Sequence, residues 1–256
     1  MKKRKLKLFS PAKINLYLHV KSRRDDGFHN LETLMQAIDL GDTLTFTEAS
    51  QNALSCSTEN IPCDPSNFVW KAFELFKKKT GIERPIHLHI EKRIPTGGGL
   101  GGGSSNVATT LYALNQLAGE PASEKELQLW SAEISSDAPF FFSKGSALCT
   151  SKGEIVEECP MPKEEPCYLF CPRYGVSTAR VFQALKLKKA HSKNDLEEPA
   201  FAVEPRLKEF KEALIKRYGN ALMTGSGSSF VSCTKKADEG IPIRFIQRTS
   251  GWYSSV

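Results

Sequence analysis

Across residues 14–20 the apolar side chains of Ile14, Leu16, Leu18 and Val20 alternate with Lys13, Asn15, Tyr17 and His19. A period of two predicts a half-buried strand, and it sets Lys13 and Asn15 on one face. Residues 43–48 and 86–90 read as two further strands. In the second of these, His87 and His89 alternate with Ile86, Leu88 and Ile90, which is the pattern of a solvated face more than of a metal site. Helical spacing lies between the strands. Residues 65–80 start a helix near Ser66, carry Val69, Phe73 and Phe76 on one side and stop before Gly81. Over 106–118 Val107, Leu111, Leu114 and Leu117 recur at helical spacing up to Gly119. Ser123 with Glu126 makes a capping box for a helix carrying Leu127, Trp130 and Ile134.

In the second half, 147–156 and 167–171 are strand-like, and the Lys-rich stretch 186–198 reads as a loop. Residues 205–218 predict a helix, and MTGSGSSFVSC at 223–233 reads as the end of a strand, a turn of small residues and a second strand. The result is a mixed chain with a boundary expected near residue 150, giving units 1–150 and 151–256.

Composition adds little to that outline. The 256 residues are 40% hydrophobic, enough for a packed core, and 35 Lys and Arg against 29 Asp and Glu give a net charge of +6, which favours anionic partners. The basic opening MKKRKLKLF is not followed by a continuous apolar stretch, because Lys7, Lys13, Asn15 and His19 interrupt it, so no signal peptide is expected. Nor does any segment approach the roughly 20 apolar residues of a membrane span. Seven cysteines without paired spacing suggest a reducing, cytoplasmic setting in which they serve as small buried apolar residues. Cys167 and Cys171 lack the second pair a zinc site needs.

The feature with chemical content is GGGLGGGSSN at 97–106, six glycines in seven positions leading into the 106–118 helix. Without a Cβ, backbone N–H groups can converge on a phosphate, and a following helix adds the free N–H groups and dipole of its first turn. Ser104, Ser105 and Asn106 fall at that first turn, where they can cap the helix, touch phosphate or reach magnesium. A linker would not run straight into an amphipathic helix. A P-loop needs Lys where Gly103 stands. A dinucleotide fold would need a ribose-binding acid after a second strand, whereas Glu120 and Glu124 follow a helix.

Phosphoryl transfer also needs a carboxylate for the acceptor hydroxyl and a cation for the developing charge. Lys13, on a strand face beside Ser10 and Pro11, and Asp137, in SSDAPFFF, are the candidates. Taken locally, an edge-strand lysine and a turn acid remain open alternatives.

PAKINLYL at 11–18, PTGGGLGGGSSN at 95–106, SSDAPFF at 135–141 and MTGSGSSF at 223–230 together resemble the GHMP kinase superfamily. DGFHNLETLMQAIDLGD at 26–42 and SNFVWKAFELF at 66–76 extend the likeness. The doubled triple glycine followed by SSN is similar to the branch whose acceptor is a cytidine diphosphate-linked methylerythritol, in isoprenoid precursor synthesis. Other members act on alcohols such as mevalonate or homoserine. The resemblance implies an α+β GHMP kinase fold, a ribosomal-protein-like βα ATP-binding domain followed by a ferredoxin-like domain. It implies ATP and magnesium, a small-molecule acceptor, no nucleic acid or membrane partner, and a monomer or weak homodimer. It makes Asp137 the base, held ionised by Lys13, an adjacent ammonium favouring the charged carboxylate. It gives Pro95, Thr96, Gly97, Gly98, Gly99, Leu100, Gly101, Gly102, Gly103, Ser104, Ser105 and Asn106 to the phosphates and sets Asn67 and Lys92 near adenine. Asn15, Phe28, His29, Thr178 and Phe182 would line the cytidine diphosphate side. A basic RNA-binding module without catalysis is the contrasting reading. SSDAP departs from the Gly-Ala-Asp-Val-Pro usual in the family, and Phe28 stands where Tyr is frequent.

Overall fold

The computed structural model describes residues 4–163, 165–186 and 192–254. Two long strands, β1 (Lys5–Arg23) and β2 (His29–Glu48), form an antiparallel pair. With β3 (Ala53–Cys56), β4 (Ile86–Glu91), β5 (Ser146–Ser151) and β6 (Ile155–Glu158) they build a six-stranded sheet. β2 joins its two wings, pairing with β4 through residues 43–48 and with β5 through 31–36.

Helices α1 (Phe68–Thr80), α2 (Gly102–Leu117) and α3 (Glu124–Ser131), with a 3-10 turn at Ala138–Phe142, accompany this sheet. Asn67 caps α1, its Oδ1 accepting the Val69 N–H at 3.0 Å, and Gly81 (φ +71°) ends it by donating to Lys77 O. The Ser123–Glu126 capping box forms as the sequence predicts. Val69, Phe73, Phe76, Val107, Leu111 and Leu114 meet Phe46, Leu88 and Phe140 in one core, each buried Phe or Leu contributing about 1.5–3 kcal/mol.

Three local expectations change. β1 is buried on both faces from Ser10 to Asn15, where alternation predicted burial on one. The reason is a second layer: Ala12 and Ile14 pack with Leu169, Val231 and Ile243 of the smaller sheet, while Lys13 lies under the glycine run. α2 begins at Gly102, four residues before the apolar periodicity becomes visible, and Gly101 at its start offers no side-chain cap. The 147–156 stretch is two strands, β5 and β6, joined by a turn at Lys152 and Gly153.

The smaller sheet contains β7 (Cys167–Phe170), β8 (Leu222–Met223), β9 (Phe230–Cys233) and β10 (Ile241–Ile243) in the antiparallel order β10-β7-β9-β8. That fourth-first-third-second order is ferredoxin-like, with the crossover before β10 made by residues 234–240 without a helix. α4 (Thr178–Ala184), α5 (Glu197–Val203) and α6 (Arg206–Tyr218) supply Val181, Ala200, Leu207 and Leu214 to its core with Phe170 and Phe230. Of the expected 186–198 loop, 187–191 lie outside the described residues. Residues 192–196 turn against β1, and Glu197 and Glu198 already belong to α5.

The cysteine reading is also corrected. Cys167 and Cys233 stand opposite one another in the β7–β9 register and form a disulfide, while Cys63 is exposed. Their 66-residue separation hides the pairing from any local spacing rule. Among the described residues no helix is long and apolar enough to cross a membrane.

Candidate functional site

β1 carries Lys13 to the floor of a cleft of about 1380 Å³ lined by both halves of the chain. Lys13 Nζ donates to Asn15 Oδ1 at 2.7 Å and to Gly99 O at 3.0 Å, and it lies 3.3 Å from Asp137 Oδ2. Three N–H bonds thus have three acceptors, so a lysine with only 3% of its side chain exposed leaves none of its donors unpaired. Asp137 precedes the 3-10 turn and keeps 32% of its side chain exposed. Gly153, in the β5–β6 turn, passes close enough that a Cβ there would lie 3.5 Å from Asp137 Oδ1. The buried Cys149 thiol is pushed up by burial and then by the Asp137 charge, so it remains an unreactive thiol.

The glycine run divides into two functional parts. Gly97, Gly98 and Gly99 pack backbone to backbone against the turn after β8: Ser228 N donates to Gly97 O at 3.3 Å and Ser229 N to Gly98 O at 3.2 Å. A Cβ on Gly99 would come within 2.4 Å of Thr224 O. Gly101 (φ +69°) passes over Lys13, where a Cβ would lie 2.9 Å from Lys13 Cγ. From Gly102 the chain is helical, and the uncapped first turn of α2 faces the cleft with the N–H groups that an anion seeks.

Ser104 lines the cleft, its hydroxyl 2.7 Å from that of Ser135, and links the start of α2 to the approach to Asp137. Ser105 does not reach the cleft: it is fully buried, and its hydroxyl donates to Ser10 Oγ, which in turn donates to Asn106 Oδ1 (both 2.8 Å). Asn106 lines the wall from that fixed position.

Lys92 approaches from the other side. Its Nζ is 2.8 Å from Asp42 Oδ2, and a Cβ on Gly102 would lie 3.2 Å from that Nζ. Asn67 lines the cleft but spends its amide on structure, donating to Pro62 O at 2.8 Å while capping α1. Phe68 beside it is exposed on the same wall.

At the far end His29 stacks on Phe182, with centroids 5.1 Å apart, and Lys152 Nζ lies 5.0 Å over the Phe28 ring. Burial, then the Arg23 charge, holds His29 below its ordinary value and favours the neutral ring. Thr178 Oγ1 and Ser226 Oγ, both on the cleft wall, are hydrogen-bonded to each other at 2.8 Å. Among the predicted residues, then, Lys13, Asn15, Phe28, His29, Asn67, Lys92, Asp137, Thr178 and Phe182 meet in one cavity with Pro95–Ser104 and Asn106.

Arg23, Phe68, Lys152 and Ser135 line it too and went unremarked in the sequence. Nothing local marks Arg23 or Lys152, whereas Phe68 stands in SNFVWKAFELF and Ser135 in SSDAPFF, two of the motifs that carry the resemblance.

The GHMP kinases N terminal domain family matches residues 67–145 and the GHMP kinases C terminal family matches 181–244. The chain is 42% identical over 271 aligned positions to the 4-diphosphocytidyl-2-C-methyl-D-erythritol kinase of Protochlamydia amoebophila, covering 98% of this chain and 94% of that protein. It is 43% identical to the chloroplastic enzyme of that name from Arabidopsis thaliana, over 89% of this chain and 67% of the plant protein. A crystal structure of 4-(cytidine 5'-diphospho)-2C-methyl-D-erythritol kinase superposes with a TM-score of 0.79 at 28% identity, over 95% of this chain and 100% of that one. The chain therefore belongs to the GHMP kinases, in the family of the 4-diphosphocytidyl-2-C-methyl-D-erythritol kinases.

Proposed function

We propose that this chain transfers the γ-phosphate of ATP to the 2-hydroxyl of 4-diphosphocytidyl-2-C-methyl-D-erythritol, as the names of its relatives suggest. The observation that carries the reading is one cleft, about 1380 Å³, with the Lys13–Asp137 pair between a glycine-rich helix start and an aromatic end. Pockets for a single drug-sized ligand measure roughly 300–1,000 Å³. The larger space suits two nucleotide-sized ligands side by side.

In this reading the ATP phosphates lie over Gly101, Gly102, Gly103 and Ser104, drawn by the free N–H groups of the first turn of α2. Asn67, Phe68 and Lys92 form the adenine side. Phe28, His29 and Phe182 take the cytosine face, with Thr178 and Asn15 along the chain that leads to the reacting hydroxyl. Asp137 accepts the proton of that hydroxyl as its oxygen attacks the γ-phosphorus, and ADP leaves. Lys13 holds the carboxylate in place and offsets charge that grows on the transferring group. The unit 1–150 then holds the nucleotide, and 151–256 closes the acceptor side through Thr178 and Phe182. Magnesium is part of the proposal. The cradle offers hard oxygen donors in Ser104, Ser135 and Asp137, which suit that ion, and with ATP it would neutralise phosphate charge.

A coupled ADP-release assay tests the proposal by comparing the diphosphocytidyl substrate with mevalonate and homoserine. The expected result is turnover with the first alone. Turnover with either of the others, or with none, would overturn it.

A further inference from the structure

The segment Asn194-Asp195-Leu196-Glu197 falls in the stretch expected to be a loop, and within it Asn194 is 1% exposed and Glu197 is 4% exposed. The segment is tied to β1, Leu18 N donating to Lys193 O and Asp195 N to Leu18 O. Asn194 uses its whole amide. Nδ2 donates to Met223 O and to Gly225 O, both at 2.8 Å, and Oδ1 accepts Leu196 N–H at 2.9 Å. Glu197 adds a second hold, Oε1 accepting Met223 N–H at 3.1 Å and Oε2 the Lys211 ammonium at 2.6 Å. A buried amide and a buried carboxylate therefore fix the backbone on both sides of one residue, Thr224.

Thr224 connects this clamp to Lys13. Its Oγ1 accepts Asn15 N–H at 2.8 Å and lies 3.3 Å from Asn15 Oδ1, the oxygen that also takes the Lys13 ammonium at 2.7 Å. The orientation of the Asn15 amide is fixed, because Nδ2 donates to Thr33 Oγ1 at 2.7 Å while that hydroxyl gives its own proton to Tyr17 O. A Cβ on Gly225 would come within 3.3 Å of Lys13 Nζ. The path Asn194, Thr224, Asn15, Lys13 is thus continuous and buried at every member.

We propose that Asn194 and Thr224 are positioning residues for phosphoryl transfer: Asn194 locks the Met223–Gly225 backbone, and the Thr224 hydroxyl then fixes Asn15, so that the Lys13 ammonium stays on Asp137. The inference rests on reading Lys13 and Asp137 as the reacting pair. Neither residue lines the cleft, so their loss acts on the geometry of the chemical step and leaves the nucleotide cradle alone.

The test uses the full chain with ATP and the diphosphocytidyl substrate. Thr224→Val keeps the shape and removes the hydroxyl, whereas Thr224→Ser keeps the hydroxyl and removes a methyl. Thr224→Val and Asn194→Leu should each lower kcat roughly tenfold to a hundredfold, since a small misplacement of reacting groups costs on that order. KM for ATP should not change, the double variant should be no worse than the poorer single one, and Thr224→Ser should retain wild-type kcat.

A merely structural threonine would rank the other way, with Val tolerated and Ser harmful. That ranking, or a Thr224→Val enzyme with wild-type kcat, overturns the proposal even if Asn194→Leu fails to fold. Lys13→Met, assayed alongside, separates the two readings. An active Lys13→Met enzyme sinks the catalytic assignment beneath the inference, whereas an inactive one beside an unimpaired Thr224→Val sinks the inference alone.

Discussion

Two lysine–aspartate pairs flank the same glycine run, and they are built in opposite ways. In Lys92–Asp42 both members are largely buried, the acid fully, and its carboxylate takes three donors: Oδ2 the Lys92 ammonium, and Oδ1 the N–H groups of Arg93 and Ile94, all at 2.8 Å. In Lys13–Asp137 the lysine is buried and saturated, and the acid opens to the cleft at 32% exposure with no backbone N–H on it among the described hydrogen bonds. A buried carboxylate that holds an ammonium and two backbone N–H groups is a fixture of the fold. One with free lone pairs, held by a single ammonium, can still receive a proton or a hydroxyl. The same two residue types thus make a structural strut at one site and a reactive group at the other, and the difference lies in whether the acid is open to the cleft.

Asp137→Asn gives the largest expected effect: a loss of about 10²–10⁴-fold in kcat, the usual contribution of a positioned base, with ATP binding close to wild type. Asp42→Asn should do the reverse. It leaves the Lys92 charge buried without a counter-ion, which costs about 3–5 kcal/mol in denaturant unfolding, while turnover per folded molecule stays near wild type. If Asp42→Asn stopped turnover in a protein of undiminished stability, the two pairs would no longer differ in kind.

A smaller probe reaches Lys13 from above. In Gly101→Ala a Cβ would meet Lys13 Cγ at 2.9 Å and Cε at 3.1 Å, at a backbone φ of +69° that costs a non-glycine residue roughly 1–2 kcal/mol. Lysine displaced from Asp137 should lower kcat about tenfold or more. Unchanged kcat in Gly101→Ala would mean that the exact seat of the ammonium is unimportant.

Part of the Lys13 seat was legible because strand alternation is local: it set Lys13 and Asn15 on one face, and their side chains meet at 2.7 Å. What the glycines do was only half legible. The pattern assigned the whole run to phosphate, whereas Gly97 to Gly99 pack against Ser228, Ser229 and Thr224, a contact between segments about 125 residues apart that no local rule encodes. The start of α2 was placed late because periodicity cannot register in glycine, the poorest helix former after proline. Most of β2 escaped as well: burial alternates from Leu31 to Met35, but the polar Thr33 takes a buried place and the apolar Leu34 a half-buried one, and Met35 to Ile38 are buried throughout, so the residue types leave no alternation to read. Asn194 escaped for a related reason: a polar residue in a Lys-rich stretch reads as surface until the backbone it clamps is known.

The finest contrast between the pairs lies one residue along from Gly101. Gly102 is the first helical residue of α2 and needs no positive φ, and a Cβ there would lie 3.2 Å from Lys92 Nζ and from Ile94 Cγ2. The lysine end is flexible enough to give way by a few tenths of an ångström while keeping Asp42, and alanine favours the helix over glycine by up to about 1 kcal/mol. These terms oppose each other, so Gly102→Ala should leave stability within about 0.5 kcal/mol of wild type. Its methyl would stand beside the first-turn N–H groups proposed to take phosphate, so the effect should fall on KM for ATP, with kcat unchanged. Steady-state kinetics of the two alanine variants side by side read the difference directly. A kcat loss in Gly102→Ala matching that in Gly101→Ala would place Lys92 in the chemical step with Lys13, and the distinction between strut and reactive pair would fail.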